Sequence, residues 1–169
     1  VQNRDRLAAL LSARALAVFN ANDIIPTNAD GTMGFRQNAD LFYLTGVDQE
    51  ETQLVLFPDH PDEKYRVALF LRETNDHIAV WEGHKLTKAE AAATTGIPEK
   101  QIYWTHQFES IFGQMVFEAE RVYLNTNEHT RNSSSVQTRD DRFIRWFKDL
   151  YPLHALGRVA PLMHQLRAI

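Results

Sequence analysis

Histidine, aspartate and glutamate are the side chains here best able to hold a metal or move a proton, and their spacing favours neither. Seven histidines are present, yet no two stand four residues apart, the spacing that places a zinc-binding pair on one helical face. His60, His77 and His84 fall in or beside turns and are expected to be solvated. His106 and His129 flank the ends of expected elements, and His154 and His164 lack an acidic partner at ligand spacing. The carboxylate pairs Glu50-Glu51 and Asp140-Asp141 are sequence neighbours, which point in different directions, and are read as solvated charge. The sequence contains no cysteine, which removes thiolate ligands, disulfides and the commonest strong nucleophile. There is no G-x-S-x-G elbow and no glycine-rich phosphate loop of either usual pattern. From these residues no catalytic residue and no metal site is expected.

Three segments differ from that background. In Phe35-Arg36-Gln37-Asn38-Ala39-Asp40-Leu41-Phe42-Tyr43-Leu44-Thr45-Gly46 a polar cluster runs directly into an apolar stretch. Two readings suit it: side chains held at the mouth of a sheet, or a buried hydrogen-bond network that anchors the preceding loop. Val80-Trp81-Glu82-Gly83-His84-Lys85-Leu86 sets a tryptophan in a turn-like context, where it is either a binding anchor or an ordinary packing residue. Asn28-Ala29-Asp30-Gly31 lies in a long polar stretch, where Asp30 is either a turn former or a contact residue.

The elements that must position these residues follow from periodicity. Leu7, Leu10 and Leu11 share a helical face, with Asn3 as a candidate N-cap. Ala15–Phe19, Leu41–Leu44, Leu54–Phe57, Val67–Leu71 and Val122–Leu124 read as strands, and Leu153–Leu156 as a closing one. The apolar runs 41–44, 54–57 and 67–71 do not alternate with polar residues, so both faces of the sheet should be covered by helices. Their close spacing predicts antiparallel connections. Between them and the first strand, residues 20–40 carry no period and read as a long loop. Thr87-Lys88-Ala89-Glu90 is a capping box, and its helix should stop at Gly96 before Pro98. Phe108, Ile111, Phe112, Met115, Val116 and Ala119 keep helical spacing, as do Val136, Phe143, Phe147 and Leu150 in a helix over 136–150. The result is one α/β domain with a mixed sheet.

Composition narrows the function further. At 169 residues with 44% hydrophobic content the chain can bury one core without staples. A net charge of −4 with dispersed basic residues gives no footprint for nucleic acid or an anionic membrane. No apolar run nears the ~20 residues that span a bilayer. The start at Val1 and the helical spacing of Leu162, Met163, Leu166 and Ile169 at the other end predict that the chain is part of a longer polypeptide.

The first motif, followed closely by Leu54-Val55-Leu56-Phe57, resembles the N-terminal domain of the Xaa-Pro aminopeptidases (aminopeptidase P), shared more loosely with prolidase and creatinase. Val80-Trp81-x-Gly83 before a short helix is similar to that family too, as is Pro161-Leu162-Met163-His164-Gln165-Leu166-Arg167-Ala168-Ile169. The resemblance spans essentially the whole chain. It implies a mixed sheet of about six strands with helices on both faces, ribonuclease H-like in topology. It also implies a domain over 1–158, with 159–169 beginning a linker helix to a pita-bread catalytic domain. There two Mn²⁺ ions would activate water, and the 169-residue piece alone would be inactive.

By the same resemblance, the domain supports homo-oligomer formation and walls the cleft for peptides with proline in second position. Trp81 corresponds to a tryptophan that reaches a neighbouring subunit's active site, and Asp30 to an acidic loop residue at the domain contact. Arg36, in the first motif, joins them as a substrate-cleft candidate. Glu82 stands where an aromatic can follow the tryptophan, and His84-Lys85 where two arginines are common, which bears on substrate preference. A cytoplasmic location is expected. The alternatives are the equivalent domain of a prolidase, which cleaves Xaa-Pro dipeptides, or a stand-alone binding or scaffold protein.

Overall fold

The chain is described by a computed structural model over residues 1–23, 26–28, 31–32, 35–125 and 138–168. Strand β1 (Ala15–Asn20) is its centre, and all six of its residues are buried. It pairs antiparallel with β4 (Gln53–Leu56), which pairs antiparallel with β5 (Val67–Leu71). Strand β6 (Ile102–Trp104) runs parallel beside β5. On the other side, β7 (Arg121–Leu124) and β8 (Ala155–Arg158) both run parallel to β1. The mixed six-stranded sheet is therefore ordered β6-β5-β4-β1-β7-β8, and the antiparallel connection of β4 to β5 is as the spacing predicts. Within the stretch read as a long loop, β2 (Pro26–Asn28) and β3 (Gly31–Thr32) form a small antiparallel pair of their own.

Because strand side chains alternate, β1 feeds two cores. Ala17 and Phe19 face a layer built from Leu7 of α1 (Gln2–Leu10), Leu41 and Leu44 of α2 (Ala39–Thr45), Ala91 of α4 (Lys88–Thr95) and Met163 and Leu166 of α7 (Ala160–Arg167). Leu16 and Val18 face Phe112 and Met115 of α5 (Phe108–Val116) and Phe147 of α6 (Arg139–Leu150). The remaining helix, α3 (Asp76–Glu82), lies between β5 and α4 in sequence and buries none of its residues. Arg4, itself buried, ties two helices of the first layer: its guanidinium donates to the carbonyls of Leu44 (2.8 Å) and Thr95 (2.7 Å). These are C-terminal carbonyls left without intrahelical donors, and a cation is favoured there by the helix dipole.

Several sequence expectations change. Leu41–Leu44 is helix, not strand: the Asn38 side chain accepts from the N–H groups of Asp40 (3.0 Å) and Leu41 (3.2 Å), and Gly46 ends the helix at φ 74°. Leu41 and Leu44 go inward while Phe42 is 49% exposed, a helical face rather than a strand. Val1, not Asn3, precedes the first helix, and the Asn3 amide instead donates to the Tyr43 carbonyl at 2.9 Å. Strand β6 and helix α3, of 3 and 7 residues, are too short to display a period in the sequence. The closing strand starts at Ala155, two residues later than expected, and leaves Leu153 exposed. Leu150 is exposed rather than inward. Val136 lies outside the described residues.

The second core is aromatic. The Phe112 ring stacks on Phe108 at 4.9 Å between centroids and meets Phe143 (6.0 Å), Phe147 (6.1 Å) and Tyr151 (6.2 Å). We expect Phe112→Ala to lower stability by about 3–5 kcal/mol, the usual cost of deleting a buried aromatic side chain. A urea titration measures this, and an unchanged midpoint would contradict the packing.

Candidate functional site

The strand directions gather the polar chemistry at one end of the sheet. The C-terminal ends of β1, β5, β6, β7 and β8 and the N-terminal end of β4 share that end. In open α/β sheets ligands are met beyond the carboxyl ends of the strands. Arg36 and Trp81 both lie at this end. The Arg36 carbonyl accepts a 3.1 Å hydrogen bond from Asn22, just beyond β1, and the Arg36 side chain is exposed. Trp81 follows β5, two strands away across β4, so the two belong to separate patches. Asp30 lies outside the described residues.

Trp81 occupies the last turn of α3 rather than a loop. Its side chain is 80% exposed, and Val80 beside it 78%. The helix is started by the Asn75 side chain, which accepts from the Ile78 N–H at 2.8 Å, and is stopped by Gly83 at φ 82°. Around it lies a charged network centred on Glu50, a residue that the sequence reads as solvated. Glu50 is only 8% exposed and accepts from Lys85 Nζ at 2.6 Å and Arg72 at 3.4 Å. The second Arg72 nitrogen reaches Glu82 at 2.8 Å. Burial pushes the Glu50 carboxyl towards protonation, but the Lys85 hydrogen bond and the charges on Lys85 and Arg72 outweigh it and hold the group below the usual carboxylate range.

The Arg-Gln-Asn-x-Asp cluster divides between the two readings open to it. Gln37 donates to the carbonyls of Val47 and Gln49, each at 3.0 Å, and Asn38 caps α2. Asp40 accepts from Asn125 at 3.0 Å and pairs with Arg167 of α7 at 3.0 Å. These three are structural, and Arg36 alone presents its side chain outward. Asp140 also departs from expectation. It is largely withdrawn from water at the start of α6, with the Asn20 amide donating to it at 3.3 Å. Burial raises its carboxyl to about 7 against the opposing Asn20 hydrogen bond and Arg139 charge, with Asp141 and Asp40 adding to the rise. Asp141 is set apart locally as the third residue of a Thr138-x-x-Asp141 capping box, whereas the burial of Asp140 follows from the fold.

His60 is buried, at 5% exposure, between the rings of Phe57 and Tyr65, and its Nδ1 accepts from the Asp62 N–H at 2.9 Å. It is a packing residue, contrary to the solvated reading. Among the described residues no group of three or more His, Cys, Asp or Glu is arranged to hold a metal ion, so no chemical step through a metal is derived for them. A cleft of about 360 Å³ between α5 and α6 is lined by Gln53, Phe108, Glu109, Arg139, Arg142, Phe143 and Trp146. Trp81 and Arg36 take no part in it. Trp81 therefore projects outward instead of facing this cleft.

Comparison with known proteins bears on this geometry. Residues 1–123 match the family described as aminopeptidase P, N-terminal domain. The mitochondrial intermediate cleaving peptidase 55 of Arabidopsis thaliana is 25% identical over 175 residues, covering all of this chain and 31% of that protein. A Bacillus anthracis structure assigned to aminopeptidase P superposes with a TM-score of 0.83 at 23% identity, over 98% of this chain and 39% of the other. The Pseudomonas aeruginosa aminopeptidase PepP gives 0.78 at 20% identity, over 96% and 36%. Escherichia coli aminopeptidase P in its low-pH form gives 0.77 at 20% identity, over 98% and 37%. At these identities the structural likeness speaks for the fold. The chain spans well under half the length of each relative.

Asp140 supplies a pH test of the edge geometry. An unfolded carboxyl ionises near 3.9, whereas the folded one does so at about 7. Between these values the folded state keeps a proton that the unfolded state has lost, so stability falls as pH rises through that window and levels off above it. Asp140→Asn should therefore stabilise the chain by roughly 1–3 kcal/mol at pH 8 and by much less at pH 4.5. Urea midpoints at the two pH values check this, and an equal shift at both would contradict the burial.

Proposed function

This chain belongs to the aminopeptidase P N-terminal domain family, and from that premise we propose that it is the accessory domain of a longer Xaa-Pro aminopeptidase, a hydrolase that removes the residue preceding proline. In this reading residues 1–158 form the domain, and 159–169 begin the linker helix to a catalytic domain that carries two Mn²⁺ ions and the hydrolytic chemistry. The domain's own contributions are to homo-oligomer contacts and to one wall of the substrate cleft, with Trp81, Arg36 and Asp30 as the residues on that side. The 169-residue chain is inactive by itself.

The observation that carries the proposal is the exposure of Trp81. An indole 80% open to solvent beside an equally exposed Val80 is costly surface for a monomer. Its flat apolar face suits the ring of a proline. No cleft encloses it in the described part of its own chain that surrounds it, which supports contact with a cleft on a neighbouring subunit. Arg36 fits the same side of the molecule as an exposed cation able to meet a carboxylate of the peptide.

We propose a cytoplasmic location. No described helix is long and apolar enough to cross a membrane. A cysteine-free sequence suits the reducing cytoplasm, whereas the Arabidopsis relative is mitochondrial by name. Cell fractionation separates these two compartments.

The test is Trp81→Ala in the full-length protein. The value of kcat/KM for an Xaa-Pro tripeptide should fall about tenfold, the scale of one aromatic stacking contact. Bound Mn²⁺ measured on the same preparation should stay unchanged. Loss of metal would show that Trp81 supports the metal centre, and unaltered kinetics would remove it from the cleft.

A further inference from the structure

Helix α3 presents Trp81 with little hydrophobic anchorage: Ile78 and Ala79 are only half-buried. Its seven residues bury no side chain, and a helix that short does not hold itself together in water. The cap from Asn75 satisfies its first turn but fixes neither its direction nor its distance from the sheet. Something outside the helix must do so, and the contacts converge on one group.

That group is the Glu50 carboxylate, in the turn that enters β4. Arg72 approaches it from the segment before α3, and Lys85 from the segment after it. Arg72 then continues to Glu82, the residue next to Trp81. The neighbouring Gln49 side chain accepts from the Leu86 N–H at 2.9 Å, fastening the exit of the same excursion. Both ends of the stretch from β5 to α4 are thus tied to a single turn of the sheet edge. Ion pairs on open surface contribute little. Here the acceptor is buried, and removing it takes from Lys85 the carboxylate it pairs with and leaves Arg72 with Glu82 alone, so the tie from the sheet edge to both sides of α3 is lost.

We infer that Glu50 is a positioning residue for Trp81, acting through Arg72 and Lys85 to hold α3 in the orientation that presents the indole. This assignment concerns the geometry of α3. Its consequence for peptide turnover rests on the reading of Trp81 as a cleft residue. The turn 49–52, with Gln49, Glu50 and Thr52 buried, thereby acts on a residue that it does not touch. Substitutions there should read out at Trp81 before they are felt in the core.

Hydrogen exchange followed residue by residue on this chain tests the geometry. In Glu50→Gln, amides of 76–86 should exchange at least tenfold faster while those of β1 and β4 keep their protection. Lys85→Gln, which leaves the buried carboxylate with Arg72, should show the same localised loosening to a smaller degree and serves if Glu50→Gln does not fold. Unchanged protection over 76–86 in the folded variants overturns the inference.

In the full-length peptidase, Glu50→Gln should raise KM, and the double variant Trp81→Ala/Glu50→Gln should be no worse than Trp81→Ala alone, because both act through one side chain. Additive losses would assign Glu50 another role and overturn the inference as well. If exchange over 76–86 accelerates while Trp81→Ala leaves turnover untouched, the positioning role stands and the cleft role of Trp81 falls.

Discussion

Burial of the central strand on both faces is the constraint from which the other features follow. Every residue of β1 is enclosed, so its alternating side chains must be apolar in both directions and helices must cover both layers. Polar groups are then excluded from the middle of the sheet and gather where strands end. Asn20, at the last position of β1, marks the change: its amide nitrogen serves Asp140, and its oxygen accepts from Gln53 at 2.9 Å. The same end carries Glu50, Arg72 and Asn125, each within a few residues of a strand terminus. The proposed site lies at this edge because the interior has no room for charge.

The edge is stiffened unevenly. Near β7, Asp40 joins Asn125 to Arg167, and the Arg167 guanidinium also lies over the Tyr43 ring at 5.2 Å. This fastens α7, whose Met163 and Leu166 already pack in the first core. The helix proposed to lead into a catalytic domain is thus packed on this one and tied to it by Asp40. Near β5 the arrangement is lighter: a short helix with no buried residue, held by ion pairs, carrying an exposed tryptophan. A contact that must meet a second surface is better served by such an element than by one locked in the core.

Much of this was legible in the sequence because it rests on local rules. The Thr87 capping box is present with both reciprocal bonds, and the helical spacing through Phe108, Phe112 and Met115 fixed the second core. The failures share one physical origin: a short apolar run does not report its own period. Leu41–Leu44 was read as strand, although Asn38 ahead of it and Gly46 behind it are cap and stop signals of a helix. The candidate site was legible only in part. Trp81 could be named, but the ion pairs on either side of its helix run to Glu50, far earlier in the chain. Nothing local separates buried Glu50 from its neighbour Glu51, and the capping box that marks Asp141 says nothing of the burial of Asp140. Long-range partners decide those environments, and a single sequence does not display them.

The central claim is that this chain shapes and presents while chemistry occurs elsewhere in the same polypeptide. Mn²⁺-dependent release of the N-terminal residue from an Xaa-Pro tripeptide, compared between the 169-residue chain and the longer native product, tests it most directly. Activity in the longer product alone is the predicted result. Turnover by the 169-residue chain, purified free of host peptidases, would contradict it and place a catalytic site among these residues.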